Sequence, residues 1–326
     1  MERPRSGPAR EDAKIGAGSL LREGLHVRPL PGVTYEQEEL GLAHRTRPSD
    51  VVEALALVGR GEIYDLESGR WPSMPVLPVH PPFVITSYRT SRGFRNQRDA
   101  KTSYGRDIGQ TGVNTELVIG SVHTGTHIDA LCHVTCGVDA RGHGGYDENE
   151  SMGDFGALTA EASSIPPFVC RGVLVDVAAY LGVEMLERGH LITLEEMVGA
   201  LGEVEIRAGD AVLFRTGYMS VWGVDDATAD GHYGAGIGIE VARELGERGV
   251  VLVGADTEAL ERAPALDEND PLPVHVELLI KRGIFILELA CLEDLACDGV
   301  REFLFVCLPL RIMGATGSMV RPIAIV

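Results

Sequence analysis

Two kinds of segment alternate through the second half of the chain, and that alternation narrows the fold more than any other feature. GVLVDVAAYL (172–181), DAVLFRTG (210–217), VVLVGAD (250–256) and IFILELA (284–290) are short apolar runs, the pattern of strands buried on both faces. Between them, LITLEEMVGALGEV, GIEVARELGERG and VHVELLIKRG carry helical periodicity. Thr193 stands where the first of these needs an N-cap, and Gly249 where the second needs a stop. The short helix pattern LEDLACDG and the runs FLFVCLPL and RPIAIV close the chain. Strands and helices in alternation predict an α/β fold, a mixed sheet covered by helices.

The first half is less regular. Residues 1–48 mix Gly, Pro, Arg and Glu without sustained periodicity and read as an N-terminal arm, leaving 49–326 as a single domain. VVEALALVGRG reads as a helix with Ser49 or Asp50 as N-cap and Gly59 or Gly61 beyond its end. The β-like runs EIYDL, PFVITSY and TELVIGSV follow, separated by Pro and Gly.

Composition excludes several function classes. A formal charge of −19 argues against a nucleic-acid partner, whose phosphates call for clustered Lys and Arg. No run approaches the ~18 consecutive apolar residues of a membrane span. The start MERPRSGPAREDAK has no apolar leader, which makes the cytoplasm the default placement. The six cysteines form no CxxC pair and read as free thiols.

Three of the ten histidines fall between 123 and 133, in SVHTGTHIDALCH. On a straight strand the α-carbons of His123 and His127 would stand ~13 Å apart, at the limit of what two imidazoles can bridge through a metal. Gly125 permits a bend, because it has no Cβ to penalise positive φ. His123, His127 and Asp129 could then converge on one divalent ion as two imidazoles and a carboxylate, a set that suits Zn²⁺, Mn²⁺ or Fe²⁺. Three protein ligands leave a coordination position open, as catalytic sites do. His133 is close enough to serve as general acid or base. Two His and one carboxylate also make the facial triad of non-haem Fe(II) oxygenases, the alternative function.

HTGTHIDALCH resembles the signature HxGTHxDxxxH of the cyclase-like metal-dependent hydrolases, a family that includes bacterial kynurenine formamidases and isatin hydrolases. RGVLVDVA, GDAVLFRTG, GADTEALE, PVHVELLIKRGIFILE and GATGSMVRPIAI are similar to blocks of its longer-chain branch, so the resemblance runs from about residue 60 onward. It implies a swivelling β/β/α-type domain, a homo-oligomer, and hydrolysis of a small amide, formamide, imide or lactone. It also implies His123, His127 and Asp129 as metal ligands and His133 as the catalytic residue, with one or two ions of zinc or manganese. His275 and Glu288 resemble the ligands of a second zinc in the formamidases; a structural pair is the other reading.

The small-molecule substrate leaves as a carboxylate, which Arg215 or Arg171 could hold, although each also fits a structural ion pair. Asp256 follows an apolar strand, where active-site loops begin and where turn caps also sit. Tyr218 and Trp222 could wall an aromatic pocket or pack in the core. The arm and the segment from Pro78 to Tyr104 are the expected sources of substrate selectivity.

Overall fold

The computed structural model describes residues 27, 30, 31, 33, 35–97, 111–224 and 234–326. Most of the arm before residue 35, and residues 98–104 of the expected selectivity segment, lie outside the described residues.

Fifteen strands occur among the described residues: β1 (Ile63–Asp65), β2 (Val84–Arg89), β3 (Thr115–Ile119), β4 (His127–Asp129), β5 (Met152–Gly153), β6 (Gly156–Ala157), β7 (Phe168–Asp176), β8 (Leu191–Ile192), β9 (Ala211–Arg215), β10 (Gly236–Ile237), β11 (Leu252–Ala255), β12 (Phe285–Glu288), β13 (Glu302–Cys307), β14 (Gly317–Met319) and β15 (Ile323–Ile325). Nine of them form one mixed sheet in the order β1-β15-β13-β7-β9-β11-β12-β4-β14. The four central strands β7, β9, β11 and β12 are parallel, and the pairings on either side are antiparallel. The central strands are the apolar runs of the sequence, and nearly every residue in them is buried.

Helices connect the parallel strands. Leu194–Leu201 begins at Thr193, whose hydroxyl accepts from Glu196 N while Glu196 reaches back to Thr193 N, a capping box. Ile239–Arg248 ends at Gly249 in the left-handed conformation. Both ends are where the sequence places them. VHVELLIKRG is helical too, but only Pro273–His275 is α; Val276–Arg282 is a π-helix, a local form that recurs at functional sites.

Three local expectations are corrected. The first helix is Pro48–Leu55 with Arg47, not Ser49 or Asp50, as N-cap, because Pro48 is pre-organised for the first helical position. Asp50 instead accepts from Arg47 N at 2.9 Å. GVLVDVAAYL is not one strand: Asp176 accepts from Ala179 N and starts a short helix, Val177–Leu181. TELVIGSV stops being a strand at Ile119 and pairs only with β2, in a separate two-stranded ribbon.

The described end of the arm lies against the body. Gln37–Arg45 forms a 3-10 segment in which Leu42 N donates to Gly283 O (2.7 Å), and Glu39 accepts from Ala160 N (2.7 Å). All six cysteines are free. No described helix is long and apolar enough to cross a membrane.

Candidate metal centre

The site is built on β4, which lies between β12 and β14. Side chains alternate along a strand, so His127 and Asp129 share one face while Ile128 points into the core, fully buried. Register brings in the next member: Glu288 of β12 stands opposite His127, and its Oε2 lies 3.1 Å from His127 Nε2. On the other side Gly317 of β14 stands opposite Asp129. A Cβ at Gly317 would come within 2.7 Å of His123 Cε1, so the absence of a side chain there is what admits the His123 ring.

The loop from β3 supplies His123. Gly125 has φ +60°, the bend the motif calls for, and its carbonyl accepts from His127 Nδ1 at 2.7 Å. That bond turns His127 Nε2 towards Glu288 Oε2 and, at 3.7 Å, Asp129 Oδ1. His123 is turned the other way: Nε2 bonds Thr316 Oγ1 at 2.9 Å, and Nδ1 lies 2.8 Å from Asp129 Oδ1. The His133 ring stacks on His123 with centroids 4.1 Å apart and stands 6.1 Å from His275.

His275 sits where the α segment passes into the π-helix. Glu261 bonds its Nδ1 and also accepts from the backbone N of Val274 and His275, both at 3.1 Å. His275 Nε2 is then aimed at Glu288 Oε1 (3.4 Å) and Asp129 Oδ2 (3.7 Å). All six sequence candidates for metal binding and proton transfer therefore meet in one cluster.

Burial and charge show what the cluster can hold. Asp129 is fully buried, and what faces its carboxylate oxygens is imidazole nitrogen, His123 Nδ1 at 2.8 Å and the Nε2 atoms of His127 and His275 at 3.7 Å, with no well-directed hydrogen bond among the described residues. His123 Nδ1 and Glu288 Oε1 are likewise buried without a hydrogen-bond partner. A buried carboxylate without well-directed hydrogen bonds is costly unless a cation compensates it. Two donor sets, His123/Asp129/His133 and His127/Asp129/Glu288, each bring ligand atoms within 4.8 Å of one another, and Asp129 belongs to both. Imidazole nitrogens and carboxylate oxygens are the donors that Zn²⁺ and Mn²⁺ accept, so the residues fit a divalent ion.

The protonation pattern is consistent with that. Burial pushes the Asp129 carboxyl up, but the imidazoles of His133, His123 and His127 outweigh it and hold the group far below the carboxylate range. Burial and the Asp129 charge push Glu288 up, and the adjacent imidazoles of His127 and His275 bring it below its ordinary value. Burial lowers His133 to about 4, against the pull of Asp129, so its imidazole is neutral near pH 7. Burial likewise lowers His80.

The five candidate substrate contacts have other surroundings. Arg171 is buried and donates to Asp210 (2.9 Å), Glu302 (2.8 Å) and Glu205 O (2.9 Å). Arg215 pairs with Glu293 (2.6 Å) and Asp176 (3.0 Å). Both guanidiniums thus occupy the structural ion-pair alternative. Asp256, pushed up to about 7 by burial, accepts from Thr216 N and Oγ1 and from Gly217 N, which makes it a turn cap. We expect Asp256→Ala to cost about 2–4 kcal/mol in urea unfolding by stranding those buried donors, with metal content unchanged. The Tyr218 hydroxyl bonds Glu258 at 2.5 Å, and Trp222 meets the rings of Tyr218 and Trp71 edge-on.

Other contributors escape a reading by motif. Arg70 Nε donates to Thr124 O at 2.9 Å and its terminal nitrogen to Thr126 O, clamping the loop between His123 and His127. Ser68 and Thr126 exchange bonds of 2.8 and 3.0 Å, and Thr126 Oγ1 donates to Leu289 O at 2.6 Å. Glu261 and Thr316 fall inside two of the similar blocks, GADTEALE and GATGSMVRPIAI, but nothing in their spacing marks them as partners of His275 and His123.

Comparison with known proteins identifies relatives of the chain. Residues 58–262 match the family model Cyclase. Kynurenine formamidase from Paracidovorax citrulli (strain AAC00-1) is 27% identical over 221 residues, 66% of this chain and 81% of that protein. A crystal structure described as a novel cyclase is 28% identical with a TM-score of 0.76, covering 89% of this chain and 97% of that one. Isatin hydrolase A from Labrenzia aggregata, bound to benzyl benzoate, shares the fold at 24% identity and a TM-score of 0.59, over 85% of this chain and 97% of that one. A family match over more than half of its length, carried on an α/β scaffold that gathers the motif histidines around Asp129, makes the chain a member of the cyclase family.

Proposed function

We propose that the chain is a divalent-metal-dependent hydrolase that cleaves or opens a small amide, formamide, imide or lactone, with His133 as general acid and base. The observation that carries this reading is the buried Asp129 carboxylate, faced by the imidazole nitrogens of His123, His127 and His275 and shared by two ligand sets, with the neutral His133 imidazole beside it. His123, His127 and Asp129 would hold the ion, zinc or manganese, and His275 with Glu288 would complete a second position. When bound, such an ion polarises a carbonyl oxygen and lowers the pKa of water by several units.

The remaining work falls to the chain. His133 takes the proton of the attacking water and returns it to the leaving nitrogen or oxygen, so the amide or ester bond breaks and a carboxylate forms. Thr316 and the Gly125 carbonyl fix the ring orientations of His123 and His127, and Glu261 fixes His275. The kynurenine formamidase and isatin hydrolase relatives support amide hydrolysis, and none of the compared proteins supports the oxygenase alternative. The partner this chemistry requires is a small molecule. Homo-oligomerisation is proposed from the family resemblance alone, and the cytoplasm is the default placement.

The test is a hydrolysis screen of N-formylkynurenine, isatin and small lactones with and without chelator. Chelator-sensitive hydrolysis restored by Zn²⁺ or Mn²⁺ is expected. Iron-dependent oxygen uptake without hydrolysis would contradict the assignment.

A further inference from the structure

His80 belongs to none of the motif residues, yet its ring stacks on His123 with centroids 5.5 Å apart and planes within 13°. It is only partly buried, whereas His123, His127, Asp129 and Glu288 are buried, so it stands on the more open side of the cluster. It is near enough to feel the charges of all four. Neither of its ring nitrogens makes a hydrogen bond to a described residue. The imidazoles of His123, His127 and His275 differ, each spending one nitrogen on Thr316, Gly125 O or Glu261.

The backbone around His80 is stiff. Pro78, Pro81 and Pro82 fix φ at three nearby positions, and His80 N closes a turn onto Leu77 O at 2.9 Å. A polar ring held on a rigid segment, with both nitrogens unspent and one face against a ligand histidine, is placed to meet a molecule at the centre rather than to pack the core. His80 also lies within the segment from Pro78 to Tyr104 that was expected to supply selectivity.

We propose that His80 is a substrate-binding residue, donating a ring N–H to the carbonyl oxygen of the bound substrate and to the carboxylate it becomes. The inference rests on the hydrolase reading for the identity of that oxygen. The donor is neutral in this role, so no proton is transferred by His80, and His133 remains the acid and base.

The test compares wild type, His80→Phe and His80→Asn, each with metal content measured. Phenylalanine keeps a planar ring against His123 and removes the donor; asparagine restores an N–H. The probe is benzoate, an aromatic carboxylate, titrated calorimetrically against the metal-loaded protein, alongside KM and kcat on whichever screened substrate is turned over.

For His80→Phe we expect unchanged metal content, benzoate binding weakened about 10- to 100-fold, and a higher KM with a smaller change in kcat. His80→Asn should recover most of the binding. Benzoate binding by His80→Phe equal to wild type would overturn the proposal, as would loss of metal in both variants, which would make His80 a support for His123. Benzoate binding does not depend on turnover. Weakened binding by His80→Phe in a protein that hydrolyses none of the screened compounds would uphold the His80 contact while counting against the hydrolase reading.

Discussion

His133→Ala is expected to keep its metal and to lose ~10²- to 10⁴-fold in kcat, the usual worth of a positioned acid or base. The expectation follows from geometry. His133 stacks on His123 beside Asp129, and burial leaves its imidazole neutral and able to accept a proton. His133 also lies within ligand reach of His123 and Asp129, so the metal measurement carries as much weight as the rate. Loss of the ion together with activity would move His133 from proton carrier to ligand. Unchanged turnover would transfer the proton to another group.

Asp129→Asn is expected to abolish metal binding and turnover together. Asp129 belongs to both donor sets, and its buried oxygens face the imidazole nitrogens of His123, His127 and His275. Asparagine preserves the shape and removes the charge, so the variant should fold. Thermal denaturation with added Zn²⁺ or Mn²⁺ separates binding from folding. Wild type should gain stability with ion concentration, as any ligand of the native state confers, and Asp129→Asn should not. Full metal occupancy in the variant would remove Asp129 from the centre.

What the sequence revealed of the site was what lies close together along the chain. His123, His127, Asp129 and His133 sit within one strand and its flanking turns, and the bend at Gly125 follows from glycine alone. Glu288 and His275 were visible as candidates through resemblance, but the pairing of Glu288 with His127 is a consequence of β12–β4 register, which local pattern does not encode. Thr316, Glu261, Arg70 and His80 act across the fold and carry no spacing signal. The Arg171 and Arg215 readings turned on partners far along the chain, Glu302, Asp210 and Glu293, that only the folded sheet brings near.

The fold divides the same way. Strands buried on both faces and capped helices were legible because their causes are local: apolar runs, the Thr193 capping box and Gly249. Boundaries were missed where a single residue overrides the run, as Asp176 does by capping a helix inside an apolar stretch and Pro48 by starting one early. The separation of the β2–β3 ribbon from the main sheet depends on long-range pairing and could not be read from TELVIGSV itself.

The most direct test of the central claim is the metal-to-protein ratio of the purified chain by elemental analysis. One or two equivalents of zinc or manganese, removed by chelator and absent from Asp129→Asn, is the predicted result. Protein that holds no divalent ion as purified and takes up none when zinc or manganese is added would contradict it.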